Sequence, residues 1–221
     1  MLIAVLFMLE VEANAKKLEQ LKSIAEQQAA QMRKAAELYD EVREQLYNDL
    51  RYTFKDDLPK WHAVVTPDLA VRFEEPSILF DDGQWALKQN FKDILATFFP
   101  RYVAILSSKK YRSSIEEIRI EGHTSSVWNT QTTPAQAYFN NMKLSQDRTR
   151  STLEYVIQLP KIDSERRWVI AKTTANGLSS SRLRLNADGT ENRKASQRVE
   201  FRVRTNAEER IGEILRAGRQ K

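Results

Sequence analysis

The chain has 221 residues, 41% of them hydrophobic, enough to close one core and leave an appendage. A formal charge of +5, from 35 basic and 30 acidic residues, is a mildly basic mixed surface and not the one-signed footprint of a nucleic-acid-binding domain. Cysteine is absent, which excludes a disulfide framework and any thiolate metal site.

Residues 1–9, from Met1 to Leu9, are all apolar. A membrane span needs about 20 such residues. Three readings fit. The segment is the end of a transmembrane helix whose beginning lies outside this sequence, or a degenerate signal peptide, or an amphipathic helix end that packs on a partner. Ala13-Asn14-Ala15 imitates a cleavage site, but no basic stretch precedes it, and Glu10 and Glu12 sit where a signal would be neutral. The first reading is the expectation.

From Glu10 to Phe54 there is neither proline nor glycine. Val11, Leu18, Ala25, Met32, Tyr39 and Leu46 recur every seven residues. Leu21, Ala35 and Val42 add a second position, and Gln28 interrupts it. This predicts one long helix of about 65 Å with a weak coiled-coil seam. A parallel homodimer is the expected partner; a helix folded back on its own domain is the alternative. Asp57-Leu58-Pro59 ends the helix, giving a linker over residues 10–57.

Ala63 to Phe73 reads as two short strands around a Pro67-Asp68 turn. Asp81-Asp82-Gly83 is a turn, with Asp82 or Gly83 capping a helix over 84–106 whose apolar stripe includes Phe91, Leu95 and Phe98. Pro100 is expected to kink or split it. A strand follows over 115–121, then a polar loop over 125–138 and a second helix over 141–159 capped by Asn140 or Asn141. Residues 167–173 read as strand, 176–196 as a long polar loop, and 198–204 as a strand with one dry face. The tail, 207–221, reads as a short amphipathic helix with a frayed end. The order β-β-α-β-α-β-β points to an α+β domain over 60–206, helices on one face of a mixed sheet.

Two motifs carry the function. Ile118 to Glu121 runs into Gly122-His123-Thr124, and Asn141-Met142-Lys143-Leu144-Ser145 is followed by Arg148. Together they resemble the OmpA-like peptidoglycan-binding domain, whose pattern is a strand, Gly-His-Thr-Asp, a loop and Asn-x-x-Leu-Ser-x-x-Arg. The resemblance covers roughly 64–205. It implies an OmpA-like β-α-β-α-β sandwich, here preceded by a long N-terminal helix, that holds a cell-wall stem peptide without catalysis. Peptidoglycan-binding residues carried over on this match are Thr124, Ser125, Asn141, Leu144, Arg148 and Arg198. The whole layout resembles MotB-like proteins and their relatives, the ZorB-type subunits of Zorya phage-defence systems. That implies an inner-membrane protein with its carboxy-terminal domain in the periplasm of a Gram-negative-type envelope, beside a MotA-like membrane channel subunit. An envelope anchor without a motor partner is the alternative; a nucleic-acid-binding protein is a minor one.

The residue types suit that chemistry. A stem peptide offers carboxylates, amides and the amine of a diamino acid. A guanidinium bonds both oxygens of a carboxylate. On a helix Asn141 and Arg148 share a face two turns apart with Leu144 between them, while Ser145, Thr149, Leu153 and Val156 form the adjoining core stripe. A helix start near Asn141 would add free N–H groups. Ser125 stands where the family has aspartate, which costs the site a charge, and the loop to Lys143 is longer than the family's. Trp128 or Tyr138 on that loop are candidates for replacement contacts. Arg198 either buttresses the ligand loop or pairs with Glu121. His123 is expected to hydrogen-bond the turn; with His62 the only other histidine and no cysteine, no metal site is expected. The arginines and lysine around residues 182–194 read as a solvated loop. Neither catalytic motifs nor a nucleotide fingerprint appear, so no enzyme activity and no cofactor are expected.

Overall fold

A computed structural model describes residues 2–206. Helix α1 spans Leu2–Phe54. Its first part belongs to one compact unit, and residues 43–205 form another. In the first unit the seam residues Val11, Leu18, Leu21 and Met32 are exposed. The side chains of Ala35 and Tyr39, also placed in the seam, lie outside the described residues, as does the tail 207–221. Among the described residues no helix is long and apolar enough to cross a membrane.

In the second unit the same helix becomes core. Leu46, Leu50 and Phe54, spaced one turn apart, are fully buried. Asp57, Leu58 and Trp61 then turn the chain into β1 (Ala63–Val65), which pairs antiparallel with β2 (Ala70–Phe73) around the expected turn. A one-turn helix, α2 (Pro76–Leu79), precedes α3 (Gln89–Leu106). The turn at Asp81 forms as expected, closed by Gln84 N–H donating to Asp81 O at 3.0 Å. It does not cap α3, which starts five residues later at Gln89 with Lys88 before it. The intervening residues are used otherwise: Leu87 bridges Phe80, and Lys88 N–H donates to Leu79 O. Pro100 does not split α3, which continues through it to Leu106.

β3 (Ile115–His123) leads to α4 (Pro134–Ile157). This helix begins seven residues before the expected Asn141. Thr133 caps it, accepting from Gln136 N–H, while the Gln136 side chain accepts from Thr133 N–H, and Pro134 occupies the first turn. Asn140 and Asn141 are therefore interior residues, and what seemed extra loop is helix. Residues 167–173 are corrected likewise: α5 (Arg166–Lys172) is a helix that buries only Val169 and leaves Ile170 exposed. Arg166 ties it to the end of α4, donating to Ile157 O at 2.9 Å. The strand comes next, β4 (Thr173–Gly177), and a short helix, α6 (Arg193–Ser196), interrupts the expected loop before β5 (Arg198–Thr205).

The sheet order is β1-β2-β5-β3-β4, with β3 and β4 parallel and the other pairs antiparallel. β5 is central, and its alternation sorts the two faces. Val199, Phe201 and Val203 face a core of aromatic rings in which Phe98 of α3 stands 5.1 Å from Phe201, 5.3 Å from Phe73 and 5.2 Å from Phe54. On the other face Glu200 accepts from Arg198 at 2.7 Å, Arg72 at 2.9 Å and Arg202 at 2.5 Å; Arg202 also reaches Glu121 at 3.0 Å. The anticipated α+β sandwich with a long preceding helix is the fold observed.

Candidate functional site

Two glycines set where α4 lies. Gly122 of β3 and Gly177 of β4 are partners in the parallel ladder. A Cβ on Gly122 would meet the Thr149 methyl at 2.7 Å and Ser145 O at 2.9 Å; one on Gly177 would meet Gln146. The helix backbone therefore rests directly on the sheet, which only glycine permits. Ser145 and Thr149 fill this contact and are buried, as the stripe predicted. Ser145 Oγ accepts from Ser179 N–H at 3.1 Å, fixing the chain that leaves β4.

This seating carries Asn141 and Arg148 to the carboxyl end of β3. Asn141 is buried and donates to Ser125 O at 3.1 Å and Val127 O at 3.3 Å. Arg148 is 9% exposed; its Nε donates to Gln84 O at 2.8 Å and its Nη2 to Asp81 O at 3.1 Å, and its guanidinium lies 4.7 Å from the Phe80 ring centre. Burial pulls the Arg148 pKa down to about 10, with the Asp82 charge pulling the other way, so the group stays cationic at neutral pH. Both its hydrogen-bond partners are neutral carbonyls. Among the described residues no carboxylate forms an ion pair with it.

The groups surround an open cleft of about 370 Å³. Thr124, Ser125, Asn141, Leu144 and Arg148 all line it, so five of the six sequence-predicted residues come together. The Thr124 hydroxyl is buried without a hydrogen-bond partner among the described residues. Ser125 bonds only weakly, 3.4 Å to Val127 O. The loop after β3 is pinned by Glu191, which accepts from Ser126 N–H at 2.9 Å. Of the two aromatics expected on that loop, Trp128 lines the cleft, whereas Tyr138 belongs to α4 and does not. Sequence reasoning missed Asp82 and Arg193, which also line it. They come from segments far apart in the chain, and no local spacing signals their meeting.

The sixth residue, Arg198, is elsewhere. It is buried, paired with Glu200 instead of Glu121, and donates to the carbonyls of Arg182 and Ser196. Its alternation with Glu200 on β5 was the available signal. Arg198 thus holds the loop over the sheet and does not border the cleft. His123 is also corrected: among the described residues neither ring nitrogen has a hydrogen-bond partner. Its Nε2 lies 3.8 Å from both Glu121 and Glu200. Burial pushes its pKa below 6.5, aided by the Arg198 charge and opposed by the two glutamates. These three residues approach one another closely enough to share a cation. The donors are already spoken for: Arg72, Arg198 and Arg202 surround the two carboxylates, and a metal ion would face their repulsion.

A second hollow, about 390 Å³, opens between β1 and residues 192–195. Its Glu75 is already bound to Lys194 at 2.7 Å, so it lacks the unneutralised charge of the first.

No family model matches the chain. The Zorya protein ZorB of Escherichia coli (strain ATCC 8739) is 44% identical to it over 185 residues, 83% of this chain and 78% of that protein. Among solved structures, a MotB-like protein from Desulfovibrio vulgaris has a TM-score of 0.54 at 24% identity, over 75% of this chain and 96% of its own.

Proposed function

The chain belongs to the ZorB family of Zorya proteins, and from that premise we propose that its folded unit is a non-catalytic anchor that grips the stem peptide of peptidoglycan in the cleft between α4 and the end of β3. The observation that carries this reading is Arg148: a buried cation, held in place by two carbonyls, with no ion-paired carboxylate among the described residues, bordering an open cleft. A guanidinium has five N–H donors, and the carbonyls take two. A carboxylate is the ligand group such a cation suits best. Asn141 positions the opposite wall through the carbonyls of Ser125 and Val127 and does not itself need to touch the ligand. Thr124, Ser125 and Leu144 supply hydroxyls and an apolar floor.

In the same proposal the protein is a stator-type subunit of an envelope complex. The protein is held at the inner membrane, and a MotA-like channel subunit is its membrane partner. The exposed seam of α1 joins two copies, which would cover Val11, Leu18, Leu21 and Met32. The domain then sits in the periplasm, where the cell wall is within reach.

Co-sedimentation of the full chain with purified sacculi tests the anchoring. The wild-type protein should pellet with the wall. Arg148→Lys keeps a charge but loses the planar fork, and should pellet much less; Arg148→Ala should remain in solution. A wild-type protein left in the supernatant, or an Arg148→Ala protein that pellets undiminished, would refute the reading.

A further inference from the structure

His123 is a buried titratable group that the proposed grip on the wall does not use. It ends β3, one residue before Thr124. Its Nε2 stands 3.8 Å from a carboxylate oxygen of Glu121 and 3.8 Å from one of Glu200, too far for a hydrogen bond but near enough to pair once the ring is charged. Both oxygens are already engaged by arginines. Glu200 Oε1 accepts from Arg72 and Arg198, and Glu121 Oε2 accepts from Arg202. Arg182, on the loop after β4, lies 3.8 Å from Glu121. Arg148 of α4 lines the same small hollow as the ring, and the uncharged α2 completes that lining. A proton on His123 therefore adds one more cation where arginines already surround two carboxylates.

The arginines are not equally held. Arg72 has Glu74 as a second carboxylate, and Arg202 has Glu121 and Asp68. Among the described residues Arg198 has Glu200 alone. An imidazolium closing on Glu200 competes first with Arg198. Arg198 is also the buried fastening of a loop: its Nη1 donates to the carbonyls of Arg182 and Ser196, near the two ends of residues 182–196. The other fastening, Lys194 paired with Glu75, is exposed. This loop steadies the cleft, because its Glu191 accepts from Ser126 N–H at 2.9 Å and its Arg193 lines the opening. We propose that His123 is a proton-operated latch. Neutral, it leaves Arg198 to fasten the loop; protonated, it takes Glu200 from Arg198, loosens residues 182–196 and weakens the hold on the wall. The inference rests on the peptidoglycan reading above. Burial chiefly lowers the ring's pKa below 6.5 while the loop is fastened, so the latch opens in acid, and by linkage a bound wall peptide resists the proton. Glu200 stays charged through that range: burial alone would raise its pKa, but Arg198 and Arg72 hold it at about 2.

The test uses the full chain at pH 7.5 and pH 5.0 in one ionic strength. Affinity for purified sacculi should fall roughly tenfold at pH 5.0, within the usual span of coupling between two sites. His123→Gln takes no proton in this range and should bind alike at both. His62→Gln, which removes the other histidine, should behave as wild type. Circular dichroism at pH 5.0 checks that each protein is folded. Hydrogen exchange of the wild-type protein without sacculi reads the latch itself. Protection of the Ser126 and Arg184 amides, which donate to Glu191 and Ser196, should fall about tenfold more than that of Val203 in the sheet as the pH is lowered. If wild-type binding is the same at both pH values, if His123→Gln loses its grip in acid as wild type does, or if protection falls evenly, the latch is overturned and the wall reading stands. If the wild-type protein pellets at neither pH, the wall reading falls, and the exchange measurement alone decides the latch. The same measurement decides it if His123→Gln does not fold.

Discussion

Gly177→Ala puts a methyl group where α4 already lies. The new Cβ would run into the Gln146 backbone nitrogen and come within 2.6 Å of its Cγ and 2.7 Å of its Cα, against 3.4 Å or more for an ordinary contact. The obstacle is helix backbone, so no rotamer change relieves it, and α4 must lift by roughly 1 Å in a close-packed interior. Overpacking of this kind costs about 1–3 kcal/mol and occasionally more; reduced freedom of the unfolded chain returns about 0.4–1. A net loss of about 1–2 kcal/mol should lower the melting temperature by roughly 2–8 °C in a domain of this size. Binding should suffer too, because the Asn141 bonds at 3.1 and 3.3 Å do not survive such a displacement. Gly122→Ala is the comparison. Its first obstacle is the Thr149 methyl at 2.7 Å, so pairing it with Thr149→Ser should recover part of the loss. Thermal unfolding followed by circular dichroism, with sacculus pelleting alongside, reads all three variants. A Gly177→Ala protein that melts within about 1 °C of wild type would show that the glycine pair does not set the seating of α4.

Glu200→Gln should destabilise the protein by about 3–5 kcal/mol in urea unfolding, since it leaves Arg72, Arg198 and Arg202 around a neutral group at a fully buried position. Stability should also fall with acid. Burial alone would raise the Glu200 pKa, but Arg198 and Arg72 outweigh it and hold the carboxyl at about 2 against 4.5 when unfolded, so its contribution, on the order of 3 kcal/mol, is present above pH 4.5 and disappears as pH falls towards 2. His123 adds an earlier decline: burial chiefly lowers its pKa, so the folded state prefers the neutral ring and loses stability as pH drops below 6.5. Unfolding free energies measured between pH 3 and 8 should show both slopes. Thr133→Ala should cost about 1 kcal/mol through loss of the α4 cap.

Much of this was legible because it is local. The alternation of Arg198 to Arg204 identifies a strand with one dry face, and the spacing of Asn141, Leu144 and Arg148 places them together on a helix. Where the reading failed, a competing local signal had been passed over. Thr133-Pro134-Ala135-Gln136 is a capping box with proline in the first turn, and it decides the start of α4 over the asparagines. Trp168-Val169-Ile170 is too short an apolar run to tell helix from strand, and the preceding turn at Pro160–Glu165 settles it as helix. Asp82 and Arg193 could not be placed in the cleft from sequence, because only the tertiary fold brings the turn before α3 and the helix before β5 to one opening.

The proposed function places cell-wall peptide between α4 and the end of β3. Nuclear magnetic resonance titration of the protein with a soluble stem peptide reads the location directly. Saturable shift changes should concentrate at the amides of Thr124, Ser125 and Gly83, the indole of Trp128 and the guanidinium of Arg148. Changes confined to the hollow beside β1, around His62, Glu75 and Lys194, or no change at millimolar peptide, would contradict the account.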